Sequence, residues 1–338
     1  MDIAERLDTW QASCTDPAHD PFEGMQAAGL FEPLDSYLAI AFVKAALTER
    51  TGLVGVGSAW AGRQVIGRAF LDRYATPAQL ERWRGRAASV AISEPKVGAH
   101  PKLLRTRATE TPTGWHIQGE KAWVSNGPSA EVIIVLAITA EDAGGRKEYS
   151  AFLVPRDTPG LAMGEMPEFH ALRPSRHCTL TLDCHVPADA LLGERGTAYD
   201  RMALPFRDLE DAVGTFGLLG AFRHLLGRFG RVQSREEAAV LSLGALVGLT
   251  AVFAAGAEAV VTALDQDALS REGATLIGLR VLAADMLARA RAHQAAHVAA
   301  AEPAIDGLLS DLEATFGVAR GPRAARQLRL GTTLLSEA

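Results

Sequence analysis

Hydrophobic positions fall into three regimes along the chain. Over residues 1–86 they recur at helical spacing, most plainly in 38–49. Ala27-Ala28-Gly29-Leu30 closes one short element, and 52–67 is rich in small residues around Trp60. Thr76-Pro77-Ala78-Gln79-Leu80 has a hydroxyl residue followed by proline, the form of an N-cap and first helical position, so another helix begins there. Between 87 and 196 the pattern shortens to Ser89-Val90-Ala91-Ile92, Trp115-His116-Ile117-Gln118, Val132-Ile133-Ile134-Val135-Leu136-Ala137, Ala151-Phe152-Leu153-Val154 and Thr179-Leu180-Thr181-Leu182. Thr113-Gly114 and Gly144-Gly145 punctuate these runs, which predict the strands of a compact β domain. From 197 to 338 the helical period returns in long segments at 212–229, 238–264, 274–301 and 308–316, suited to an antiparallel bundle. The expected fold is α+β: an N-terminal α-helical domain (1–86), a middle β-barrel-like domain (87–196) and a C-terminal four-helix bundle (197–338).

Residues 238–257 carry no charge and are long enough to cross a bilayer. They are flanked by Glu236, Glu237 and Glu258 rather than by basic or aromatic anchors, so a helix buried on all sides of the bundle is expected, with Gly244 and Gly248 admitting a close neighbour. A formal net charge of -6 without basic clusters gives no electrostatic ground for a nucleic-acid partner. Cys14, Cys178 and Cys184 lack zinc-site spacing and are odd in number, which suggests a reducing compartment. With Asp2 and Glu5 at the start and no signal-type apolar core, a cytoplasmic protein away from membranes is the expectation.

Between two of the predicted strands lies Gly119-Glu120-Lys121-Ala122-Trp123-Val124-Ser125-Asn126-Gly127, which reads as the floor of a ligand site. Trp123 supplies a large planar surface, and Ser125 and Asn126 add short hydrogen-bonding groups able to pin a planar heterocycle. A tryptophan buried for structure alone is the alternative on these residues.

Several motifs at joint spacing then resemble the acyl-CoA dehydrogenase family. Ser93-Glu94-Pro95-Lys96-Val97-Gly98-Ala99-His100 is similar to the family's T-E-P-x-A-G-S-D loop, and Trp123-Val124-Ser125-Asn126-Gly127 to its W-I-T-N-G. Thr158-Pro159-Gly160-Leu161 resembles its T-P-G turn, Val186-Pro187-Ala188-Asp189-Ala190-Leu191-Leu192-Gly193 its V-P-x-x-N-x-L-G, and 71–80 its G-T-x-x-Q-K region. The resemblance implies an FAD enzyme that takes an α-proton and a β-hydride from an acyl thioester to leave the trans-2-enoyl product. By position it implies Ile92, Ser93, Gly98, Trp123 and Ser125 as flavin contacts. It also implies an acyl-CoA or acyl-carrier substrate, an electron-transfer flavoprotein or other acceptor, and a homodimer or heteromer.

Such chemistry needs a positioned carboxylate. Most of the family carries it in a C-terminal Y-E-G-T segment, whose best match here, Phe316-Gly317-Val318-Ala319, lacks it. One branch places the base in a D-L-E-R sequence of the first bundle helix, and Asp208-Leu209-Glu210-Asp211 resembles that, making Glu210 the candidate. Acids favouring a helix N-terminus are the competing explanation. Asp211 stands where the family usually has arginine. The family's R-x-x-F-G and Q-x-x-G-G-x-G segments, which serve a neighbouring subunit's FAD, have no counterpart at 230–237 or 296–300. Ala99 and His100 replace serine and aspartate. The losses suggest a chain that completes its flavin site with a second family member. The alternative is a redox-inactive scaffold, or a flavin-free lyase or cyclase on a carrier-bound acyl group.

Arg173 and Arg176 are candidates for the mouth of the acyl site. Arg320-Gly321-Pro322-Arg323-Ala324-Ala325-Arg326 reads as a solvated terminal face. His293 and His297, one turn apart, read as an exposed helix face without a third ligand, so no metal site is expected. Gly217, Gly220, Gly227 and Gly230 follow no strand and are not a nucleotide loop.

Overall fold

Local signals set the N-terminal helices of the computed structural model, which describes residues 2–166, 169, 171–299, 302–318 and 320–337. Helices α1 (Ile3–Ser13) and α2 (Phe22–Ala27) precede α3 (Tyr37–Thr51), where the Ser36 side chain accepts from the Ala39 N–H and Gly52 ends the helix. Next come α4 (Val54–Ile66), the short α5 (Asp72–Tyr74) and α6 (Pro77–Trp83). Thr76 and Gln79 form a reciprocal capping box at α6. The Gln79 amide also donates to the carbonyls of Asp189 and Leu191, fastening this helix to the end of the β domain.

Eight strands follow: β1 (Ala88–Ala91), β2 (Arg107–Thr111), β3 (Gly114–Ser125), β4 (Val132–Glu141), β5 (Lys147–Pro155), β6 (Leu161–Glu165), β7 (His177–Pro187) and β8 (Leu191–Leu192). They pair in the order β6-β7-β3-β2-β4-β5-β8, with β1 parallel to β4. The unbroken apolar run of β4 has a simple cause. Ile133, Val135 and Ala137 face the interior of the β domain, whereas Val132, Ile134 and Leu136 join the larger core shared with the helices. Both faces are buried, so no polar alternation survives. The stretch 119–125 is not a link between strands but the second half of β3, whose pairing with β7 shifts between Lys121 and Val124.

The C-terminal part comprises α7 (Leu204–Val232), α8 (Glu237–Asp265), α9 (Gly273–His297), α10 (Pro303–Gly317) and α11 (Arg320–Glu337). Long and apolar enough to cross a membrane, α8 packs instead along α7, α9 and α3. It is not buried on all sides. Val240, Leu241, Val247 and Val252 are exposed, and Gly244 and Gly248 face open space, because three neighbours cover only part of its circumference. His293 also departs from expectation: it is 1% exposed, bonded at 3.0 Å to Ser242 Oγ and set against the Phe229 ring. Among the described residues no group of three or more potential ligands gathers to hold a metal.

Candidate active site

The shift of register in β3 turns Trp123 outward. A bulge places one residue out of the ladder, and here Trp123 takes φ 60, unusual for a residue with a Cβ. Its indole stays 45% exposed, with the edges of Phe169 and His177 beside it at 5.4 and 6.1 Å between ring centres. Loop 92–98 closes on the same strand. The Ala122 N–H donates to the Ser93 carbonyl at 2.9 Å, and Lys121 Nζ donates to the Ile92 carbonyl at 3.1 Å. Ser93 and Ser125 have hydroxyls with no hydrogen-bond partner among the described residues, while the Ser125 carbonyl accepts from Ser89 Oγ.

A buried ion pair fixes this loop. Lys121 Nζ lies 3.1 Å from Glu94 Oε1, and the two side chains are 1% and 7% exposed. Glu94 also accepts from the N–H groups of Arg105 and Thr106 at 2.7 and 2.9 Å. Burial pushes the Glu94 pKa up, but Lys121 and these donors outweigh it and hold the carboxyl below its ordinary value. Burial lowers Lys121 to about 8 against the pull of Glu94. Loop 92–98 is pinched shut by reciprocal backbone bonds between Glu94 and Gly98. Gly98 has φ 59, and nothing lies within 4 Å of where its Cβ would be, so a ligand has room to approach the backbone. Trp123, the Ser93 and Ser125 hydroxyls and Gly98 thus fit a planar heterocycle with a phosphate-bearing tail.

Asn126, at φ 57, joins the platform to its surroundings. It donates to the Ala59 carbonyl of α4, receives the Ser175 hydroxyl on its Oδ1, and its backbone N–H reaches the Arg176 carbonyl. The segment carrying Arg173 and Arg176 is held further by the Leu172 N–H on Asp311 of α10. Both arginines are exposed, have no carboxylate partner among the described residues, and line two adjoining cavities of about 350 and 440 Å³. The larger cavity runs to Phe169 and His177, the aromatic neighbours of Trp123.

Glu210 lies in α7, beyond the first turn, which contains no acid; a favourable helix N-terminus therefore does not explain it. No hydrogen bond or ion pair engages its carboxyl among the described residues, and none links it to the β platform. More than a third of its surface is open, yet desolvation still dominates its titration, as for a carboxyl in a concave recess. That crowding, helped by Asp211, raises its pKa to about 7, with Lys44 and Arg323 pulling the other way. Asp211 turns inward instead. Arg280 of α9 and Arg323 and Arg326 of α11 meet it at 2.9, 3.0 and 3.0 Å, and Arg326 also reaches Asp208 at 3.1 Å. Burial opposes its ionisation, but Arg280, Arg323 and Arg326 hold its pKa below the ordinary value. The basic run of α11 is thus not a solvated face: two of its arginines are spent on the start of the bundle.

Lys121, Lys44 and Arg280 escape a reading of the sequence, because each lysine or arginine sits among apolar neighbours with no motif around it. The Lys121–Glu94 pair has one local signal, a lysine in the half of a strand next to Trp123.

Helices, β platform and bundle in this order, with an outward tryptophan beside a pinched loop, define a three-part protein built to hold a flat ligand between its sheet and its helices. A sequence profile described as "Acyl-CoA dehydrogenase, middle domain" matches residues 89–184. Cyclohexane-1-carbonyl-CoA dehydrogenase of Syntrophus aciditrophicus is 39% identical over 113 residues, 33% of this chain and 29% of that one. The chain therefore spans about a third of the length of such a curated relative. Among solved structures, butyryl-CoA dehydrogenase of Megasphaera elsdenii superposes with a TM-score of 0.77 at 17% identity, covering 89% of this chain and 82% of that one. The prolyl acyl carrier protein oxidase AnaB does so with 0.83 at 18%, covering 98% and 97%. This chain belongs to the acyl-CoA dehydrogenase family.

Proposed function

We propose that this chain is a flavin-dependent dehydrogenase that converts an acyl thioester, on CoA or on a carrier, to the trans-2-enoyl thioester. The observation that carries this reading is the β3 platform: an exposed indole turned out by a bulge, beside unpaired hydroxyls and a glycine with open space before it. FAD would be held there by Ile92, Ser93, Gly98, Trp123 and Ser125, and when bound it supplies the hydride acceptor. Trp123 gives the ring a face to lie on, and the two serine hydroxyls offer hydrogen bonds to its polar edge. Glu210, ionised on the alkaline side of about 7, takes the α-proton into its own carboxylate. Arg173 and Arg176 draw in the phosphate that CoA and a carrier's pantetheine arm share. The exposed apolar row of α8 supports association with a second family chain, either a copy or a more complete partner. An electron-transfer flavoprotein would then reoxidise the site, in the cytoplasm.

Purified chain, alone and co-expressed with a neighbouring family chain, is expected to be yellow, with its flavin bleached anaerobically by an acyl thioester. Glu210→Gln should keep the flavin and slow bleaching by about 100-fold or more, the scale of a lost general base. Unchanged bleaching removes Glu210 from this role. Folded, colourless protein in both preparations favours instead a scaffold or a flavin-free activity.

A further inference from the structure

Lys44, in the middle of α3, carries a charge that no hydrogen bond or ion pair balances among the described residues. Its stem runs in a groove opened by two glycines. A Cβ at Gly217 of α7 would stand 2.8 Å from Lys44 Cε, and one at Gly57 of α4 would stand 3.3 Å from its Cγ. Helices α3 and α7 run side by side in the same direction: Phe42 meets Phe216, Lys44 meets Gly217 and Gly52 meets His224. A helical side chain leans toward the N-terminus of its own helix, so the ammonium is aimed at the earlier turns of α7. Glu210 lies there, seven residues before Gly217, on the same face and roughly 10 Å along the axis.

We propose that Lys44 is the positioning residue that keeps Glu210 ionised at neutral pH, so that the carboxylate is ready to accept a proton. This rests on Glu210 being the base of the proposed dehydrogenation. The surrounding charges leave that task to Lys44. On α7 itself, Asp211 opposes ionisation of Glu210, and Asp208 sits nearby with Arg207 and Arg326 upon it. From α11, Arg323 favours ionisation but is engaged by Asp211, and from α9 Arg280 is engaged by the same carboxylate. The cation without such a partner comes from α3. Burial lowers the Lys44 pKa to about 8, while Glu210 draws it upward. Between about 7 and 8 both groups carry charge. During proton transfer the proton passes to Glu210, which becomes neutral, and Lys44 keeps its own.

The test is a carbon-13 carboxyl NMR titration of the full chain as purified, with E210Q identifying the Glu210 resonance. Removing a nearby cation favours the neutral acid, so K44M should move the Glu210 midpoint upward by about one pH unit, a tenfold fall in the ionised fraction below it. K44Q, which retains a polar stem, should do the same if K44M folds poorly, and K44R should restore the wild-type midpoint. An unchanged midpoint in the neutral variants overturns the proposal, as does K44R shifting as far as they do, since packing rather than charge would then be responsible. No turnover is needed for this readout. If Glu210→Gln retains full bleaching while the K44M shift is present, the dehydrogenation assignment fails and the electrostatic coupling stands.

Discussion

Trp123 holds a backbone angle that a residue with a Cβ adopts at a cost of about 1–2 kcal/mol, and it leaves nearly half of its indole in solvent. Neither feature helps the fold, so both are explained by what the ring receives. Trp123→Ala is expected to leave thermal stability within about 0.5 kcal/mol of wild type, the usual range for an exposed side chain, while cutting flavin retention on gel filtration. Loss of stability with flavin unchanged would make the ring structural. Glu210 sets a second expectation at this scale. Because a base works only when deprotonated and its pKa is raised to about 7, kcat/KM should climb as pH rises through about 7. A profile flat from 5 to 8 would place the base elsewhere.

At the scale of elements, the platform depends on loop 92–98 staying against β3, and the buried Lys121–Glu94 pair is its anchor. Lys121→Met strands a buried carboxylate, a loss of about 3–5 kcal/mol measured by urea unfolding, and flavin should be lost with it. Much of this architecture was legible: the Thr76-Pro77 cap, the strand cores and the long bundle helices all announce themselves through period and capping residues. Other elements gave no such signal. β2, Arg-Ala-Thr-Glu-Thr, is mostly polar because only Ala108 is buried, and β6 is a short edge strand. The partners of Asp211 lie 69 and 112 residues away in Arg280 and Arg323, a separation that local patterning does not bridge. Helix α8 misled for the opposite reason: an unbroken apolar sequence implies burial, yet within a single chain one face stays open.

For the molecule as a whole, Asp211 draws α9 and α11 onto the first helix of the bundle, tying residues from three helices to one carboxylate. Its depressed pKa contributes stability that is present above its unfolded value of about 4 and is lost as pH falls through the folded one. Asp211→Asn should therefore lower stability at pH 7 by about 3 kcal/mol and flatten the acid limb of the unfolding curve, a change that differential scanning calorimetry across pH can follow. The platform and the bundle meet in one site only if a flavin on β3 and a substrate within reach of Glu210 react together. The most direct measurement is the visible flavin spectrum of the purified protein under anaerobic titration with saturated acyl thioesters. The account predicts stoichiometric bleaching of bound flavin with release of the enoyl thioester; flavin that stays fully oxidised in the presence of bound thioester would contradict it.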